Sequence, residues 1–326
     1  MKKKSILIFD AYNNFIRAYV ANPSINTNGE PIGGIIGFLK IIQKYVKQYD
    51  PDLIFVCWDG QGGSQQRKSI FKDYKSGRSP VRLNRFSNLL SDNQQDQNKM
   101  WQVQRIIEYF NNMPIIQLLC DYVEADDLVA WVCNFEEYSD YDKIIISNDK
   151  DFIQLVSDDV TLIRPTQDEI LTPKTTVEIY GIHPHNFCLA KSITGDESDN
   201  ISGVAGAGFK TLNKRFPMLA ESKRCSLTTL VDHATVQVAS QGKKPIKLYD
   251  SILNSCGTIE KNMTLICLGD YSMSGVCKDK ILWNIDNGLP QFLKISVMRM
   301  MSADNISTET FNLLFEYFAR IGNQIK

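Results

Sequence analysis

The sequence predicts an α/β fold: a mostly parallel central sheet flanked by helices, with a C-terminal helical region. Three observations predict it. Short apolar runs at Ser5–Phe9, Leu53–Trp58 and Lys143–Ser147 each lead into an acidic residue or cluster, the pattern of buried parallel strands. Gly34–Tyr49 has helical spacing, with Ile35, Ile36, Leu39, Ile42 and Val46 on one face. From Pro184 onward the pattern turns helical.

Taken in order, the first strand ends at Asp10 and a helix including Arg17 follows. Asn26–Pro31 is a loop, because Asn, Gly and Pro cluster there. The second strand ends at Asp59. Residues 61–100 are polar, with few core positions, and read as helical but mobile. A helix from Trp101 leads to a strand at Ile115–Leu119, and a helix carries Glu124 to Phe135. The strand ending at Ser147 opens into a turn with Asp149 and Asp151, and Thr161–Thr172 reads as a strand and hairpin. Gly203–Thr211 is a glycine-rich turn that opens a helix, where backbone amides could meet a phosphate. The expected division is 1–183 for the α/β core and 184–326 for the helical region. Residues after about Phe216 carry no chemical motif.

Composition narrows the class. Of 326 residues, 43% are hydrophobic and 22% charged, ordinary for a soluble globular protein. No apolar run is long enough to cross a membrane. The basic start Met1–Lys4 is followed by an apolar run too short for a signal peptide. The eight cysteines form no CxxC pair and read as reduced core residues of a cytoplasmic protein. The three histidines include no HxxxH pair, which argues against zinc. The formal net charge is −1, but charge is unevenly distributed. Gln61–Arg105 holds nine basic residues against three acids, whereas Asp121–Asp159 holds twelve acids against two lysines. A basic segment beside an acidic one suits a phosphate-bearing substrate.

The acids are the strongest signal. In open α/β sheets, sites form outside the carboxyl ends of the strands. Asp10, Asp59, Asp149 and Asp151 would meet on that rim, joined by the Glu124–Asp127 and Asp196–Asp199 clusters. Such crowding is tolerable only if cations neutralise it. Hard divalent ions prefer oxygen ligands, and two of them can clamp a phosphodiester for in-line attack.

Ordered motifs then point to a family. They are Phe9-Asp10, Gly37-Phe38, Trp58-Asp59, Arg67, Tyr74-Lys75-Ser76-Gly77-Arg78, Glu124-Ala125-Asp126-Asp127, Asp149–Val156 and Tyr180-Gly181-Ile182. The string Gly195-Asp196-Glu197-Ser198-Asp199-Asn200-Ile201-Ser202-Gly203-Val204 follows, then Gly206, Gly208 and Lys210-Thr211. In these the chain resembles the structure-specific 5′ nucleases, the flap endonuclease/5′→3′ exonuclease family, over roughly residues 5–270. Two positions depart from the family pattern. Asn148 stands where Gly is usual, and Ser202 where Pro is frequent. Asn tolerates the left-handed backbone that Gly favours, so the turn is expected to survive.

The resemblance implies a free-standing enzyme that hydrolyses phosphodiesters at 5′ ends or flaps of DNA, and RNA primers in RNA–DNA hybrids, in replication or repair. It implies two Mg²⁺ or Mn²⁺ ions. Asp10, Asp59, Glu124 and Asp126 would hold one; Asp149, Asp151, Asp196 and Asp199 the other; Asp127 would support either. It implies a helical arch at about 61–104; Lys75, Arg67 and Arg78 would grip the scissile phosphate at its base, and Tyr74 would stack on a base. Gly203, Gly206, Gly208, Lys210 and Thr211 would hold the duplex backbone and allow a K⁺ ion on their carbonyls, with Arg17 a further phosphate contact. Replication proteins are the implied partners, with a monomeric state and a bacterial or phage-infected cytoplasm. The competing readings are an RNA-processing nuclease with a related acidic core and a non-catalytic structure-binding homologue. The glycine-rich turn opposes the first and the intact carboxylates oppose the second.

Overall fold

The computed structural model describes residues 3–86, 88–240, 246–269 and 273–324; Met1 and Lys2, part of the basic start, lie outside them. Two compact units form. The first comprises Met1–Gly63, Ser79–Ser147 and Met273–Lys326, and the second Ser64–Arg78 and Asn148–Ser272.

The first unit is built on four strands, β1 (Ser5–Asp10), β2 (Leu53–Trp58), β3 (Ile116–Leu119) and β4 (Asp142–Ile146). Their spatial order is β3-β2-β1-β4, and every pairing between neighbours is parallel. Ile8 lies opposite Phe55 on one side and Ile145 on the other. The chain winds outward from β1 to β3 and then returns to β4 on the far side of β1. This reversal of direction creates a crevice at the carboxyl ends, where α/β proteins place their sites. All six residues of β1 are buried, as a central parallel strand covered on both faces requires. The helix Gly33–Tyr49 buries Phe38, Leu39, Ile42 and Val46, and the Phe38 ring meets Phe9 and Phe110 edge-on. The last helices belong here too. Tyr317 Oη donates to the Pro51 carbonyl at 2.7 Å, and Gln43 donates to the Thr310 carbonyl at 3.0 Å.

The second unit contains the hairpin β5 (Val160–Arg164) and β6 (Glu169–Leu171), paired antiparallel, where a strand and hairpin were expected. The helices Pro173–Tyr180, Pro184–Thr194, Phe209–Arg215, Leu227–Ser240, Lys247–Leu253 and Cys256–Ile266 follow. Between them is a short antiparallel pair, β7 (Gly195–Asp196) and β8 (Ile201–Ser202). A Cβ on Gly203 would run into the Thr194 carbonyl, and Gly195 has φ +79° with Gly203 pressed against it. Only glycine lets these backbones close.

Several expectations need correction. The boundary at 183/184 falls inside the second unit, and 273–326 joins the first. The reason is packing: the terminal helices bury Phe311, Leu314 and Phe318 in the first unit. The arch at 61–104 is not one element, because residues 64–78 pack with the second unit and 79–104 with the first. The helix expected from Trp101 starts at Asp92, where Ser91 and Gln94 form a capping box. The cysteines are not all free. Cys188 and Cys267 form a disulfide with Cα atoms 5.6 Å apart. Packing of the helices Pro184–Thr194 and Cys256–Ile266 brings them together across 79 residues of sequence, which spacing alone could not reveal.

Candidate active site

In the first unit the carboxylates sit where strands end and a helix begins. Asp10 is the last residue of β1 and the N-cap of the helix Ala11–Ala21; it accepts from the Asn13 amide at 3.3 Å and from the Ser147 hydroxyl at 2.9 Å. The Asn14 carboxamide spans the ends of β1 and β4, donating to the Asp10 carbonyl at 2.8 Å and the Ile146 carbonyl at 2.6 Å. Asp59 follows β2 and accepts from the Ala125 amide at 2.9 Å, fixing it to the first turn of the helix Ala125–Asn134. Glu124 is the N-cap of that helix, and Asp126 and Asp127 lie in its first turn, where the helix dipole favours negative charge. Burial pushes the Cys57 thiol well up, and Asp10, Asp126 and Asp59 push it further. Three carboxylates therefore act on one buried point of β2. They are not drawn into a tight trio. Arg17 is half-buried and donates to the side-chain Oδ1 of Asn14 at 3.2 Å; burial lowers its pKa.

The second unit gathers its acids more closely. Ligand oxygens of Asp151, Asp196 and Asp199 all lie within 4.8 Å of one another, the only such trio among the described residues. Asp151 opens a 3-10 turn after β4, Asp196 ends β7, and Asp199 closes the turn before β8. Asp149 stands beside the trio, its Oδ1 accepting from the Asp151 amide at 2.8 Å. Oxygen donors at this spacing fit a hard divalent cation.

Cationic side chains already meet this trio. The Lys191 ammonium pairs with Asp151 and, at 2.7 Å, with Asp196. Burial pushes the Asp196 carboxyl up, but Lys191 and the Ser198 hydroxyl and amide outweigh it and hold the pKa below its ordinary value. Arg78 pairs with Asp199, and its Nε donates to the Ser198 carbonyl at 3.3 Å. The Lys75 amide donates to the Asp199 carbonyl at 3.2 Å, with Lys75 at φ 57°. A left-handed lysine is strained, and such strain concentrates at functional sites.

Lys191 was missed in the sequence. A lone lysine amid Phe187, Leu189, Ala190 and Ile193 was its signal, since a buried ammonium demands an anionic partner.

Two expected roles change. Tyr74 is 3% exposed and packs with Ile201, Leu265 and Ile266, so its ring is a core element and is not presented for base stacking. Lys75 Nζ lies 4.9 Å from the centre of that ring. Arg67 is also buried, and its Nε donates to the Leu265 carbonyl at 3.0 Å. It fastens the helix Gln65–Ile70 to the second unit. Asn148 is not among the residues with positive φ, so the expected left-handed backbone is absent. The glycine-rich turn is exposed at Gly203, Gly206, Gly208, Lys210 and Thr211. Gly206 has φ +80°, and nothing lies within 4 Å of a Cβ placed on Gly206 or Gly208. Phe209 anchors the following helix by stacking on Phe187 at 5.1 Å.

The model of the 5′-3′ exonuclease N-terminal, resolvase-like domain matches residues 5–181. The chain belongs to the 5′-3′ exonuclease family. A 5′-3′ exonuclease of Buchnera aphidicola (from Schizaphis graminum) is 34% identical over 213 residues, which cover 64% of this chain and 69% of that one. DNA polymerase I of Caldicellulosiruptor bescii is 33% identical over 216 residues, 64% of this chain but only 24% of the polymerase. The match therefore spans about a quarter of that polymerase. Among solved structures, a bacteriophage T5 flap endonuclease complexed with DNA and metal ions has a TM-score of 0.67 at 19% identity, covering 92% of this chain and all of that one. The catalytic core of Rad2 with DNA substrate gives 0.52 at 13%, covering 97% and 93%. At these identities the likeness is one of fold.

Proposed function

We propose that this protein hydrolyses phosphodiester bonds at 5′ ends and 5′ flaps of DNA. One observation carries the reading: a chain of the 5′-3′ exonuclease family retains a carboxylate trio, Asp151, Asp196 and Asp199, with oxygens spaced for a divalent cation. Asp149, Asp151, Asp196 and Asp199 would hold one Mg²⁺ or Mn²⁺; Asp10, Asp59, Glu124 and Asp126 would hold a second, with Asp127 in support. Such cations supply Lewis-acid polarisation and charge neutralisation at a phosphodiester. Arg78 offers a cationic group beside the trio, and Lys75, whose backbone is bonded to Asp199, carries an ammonium suited to holding a phosphate as negative charge develops on it. The exposed turn from Gly203 to Thr211 is proposed to hold the duplex backbone and a K⁺ ion, with Arg17 a further phosphate contact. RNA primers in hybrids are proposed as additional substrates, and replication proteins as partners of a monomer. The proposed compartment is the bacterial or phage-infected cytoplasm, consistent with bacterial and phage relatives.

The test is a gel assay on end-labelled flap, nicked, single-stranded and RNA–DNA hybrid substrates. Cleavage from the 5′ side is expected with Mg²⁺ or Mn²⁺ and none in excess chelator. Ca²⁺ should support binding without cutting, because its looser coordination suits in-line chemistry poorly. Full activity in chelator would refute the metal requirement.

A further inference from the structure

Asn148 precedes the acidic turn, and two of its hydrogen bonds tie it to the end of β5 and the segment that follows. Its carbonyl accepts from Arg164 Nε at 3.1 Å, and its side-chain oxygen accepts from the Thr166 amide at 2.9 Å. Arg164 ends β5 and is 4% exposed. Its NH1 meets Glu169 at 2.5 Å and the Tyr180 hydroxyl at 2.8 Å. Glu169 faces Arg164 in the β5–β6 register, and the Tyr180 ring packs edge-on against Phe187 and Phe209. The guanidinium therefore cannot shift without disturbing the hairpin and that aromatic cluster. A charged donor bound to a carbonyl is stronger than a neutral pair. From Asn148 the chain enters Asp149, whose carboxylate caps the Asp151 amide.

We propose that Asn148 and Arg164 are positioning residues: together they clamp the acidic turn to the β5–β6 hairpin and so set where Asp149 and Asp151 point. The asparagine is present for its carboxamide, since its backbone has no positive φ to accommodate. A glycine here would keep the Arg164 bond to the carbonyl and lose the Thr166 bond. The inference rests on the cation-binding reading above. Partners that orient ligands set metal affinity by about 10- to 100-fold.

The experiment is Mn²⁺ titration of the DNA-free protein by calorimetry, beside thermal melting and the Mg²⁺ dependence of single-turnover flap cleavage. Asn148→Ala should weaken Mn²⁺ binding about tenfold and raise the Mg²⁺ needed for half-maximal rate, with a melting temperature near wild type. Asn148→Asp keeps an acceptor for Thr166 and should retain Mn²⁺ affinity. Arg164→Lys, which keeps the charge but loses the Nε donor, should weaken binding as Asn148→Ala does. Mn²⁺ affinity unchanged in both Asn148→Ala and Arg164→Lys overturns the proposal and leaves the functional reading standing. Affinity lost only in proportion to melting temperature also overturns it, since the role is then structural. Wild-type protein that binds no Mn²⁺ overturns the metal reading and this inference with it.

Discussion

The two units gather their acids to different degrees. In the first, Asp10 and Asp59 accept from neutral donors, the Asn13 and Ala125 amides and the Ser147 hydroxyl, and Glu124, Asp126 and Asp127 sit at a helix N-terminus. In the second, Asp151, Asp196 and Asp199 are packed closer and meet full charges, Lys191 and Arg78. In a tight trio mutual repulsion grows steeply as the charges approach and the surroundings exclude water, and Lys191 and Arg78 offset it there.

Asp149→Asn is expected to have the largest effect. The amide oxygen can still accept from the Asp151 N–H, so the turn is kept while one charge is lost. Cleavage should fall on the order of a thousandfold or more, an effect of about 4 kcal/mol, while DNA binding is retained or improved. Single-turnover cleavage beside equilibrium binding decides it, and near-normal turnover would remove Asp149 from the ligand set.

The difference between a charged and a neutral partner predicts unequal stability effects. Lys191→Met leaves two carboxylates without their ammonium and should cost about 3 kcal/mol of unfolding free energy in chelator, as breaking a buried pair does. Ser147→Ala removes a neutral donor from Asp10 and should cost only about 1 kcal/mol. The pH dependence has a definite sign. Asp196 is held below its ordinary value, so its pairing stabilises the fold above about pH 4. That contribution is lost as pH falls through the folded value, and the Lys191→Met deficit should shrink with it. Denaturant melts of both variants across pH measure this; equal costs would dissolve the contrast.

A third test is confined to the second unit. Lys75→Ala should lower the single-turnover rate on the order of a hundredfold, about 3 kcal/mol, with duplex affinity little changed. Gly208→Glu has room for its side chain, so its effect is electrostatic. It should raise the duplex dissociation constant about tenfold and leave the rate at saturating enzyme largely intact. The same binding defect in both would merge the proposed catalytic and duplex-holding surfaces into one.

Much of this was legible in the chain. Period and polarity determine a strand such as Ser5–Asp10, because a central parallel strand covered on both faces must be apolar along its length, and Asp10 is the first acid where the strand ends. The Asp196–Asp199 string was legible for the same local reason: Gly195 and Gly203 permit a backbone approach that side chains would block. Tertiary structure alone decided the rest. Lys191 finds Asp151 40 residues back in the sequence, and Cys188 finds Cys267 79 residues on. Tyr74 and Arg67 carry side chains suited to nucleic acid, yet packing claimed both. Local sequence sets which backbone shapes and charges are available at a position. Which partner satisfies a buried charge, ring or thiol is decided by whatever distant surface the fold brings against it, and no spacing within a single segment encodes that.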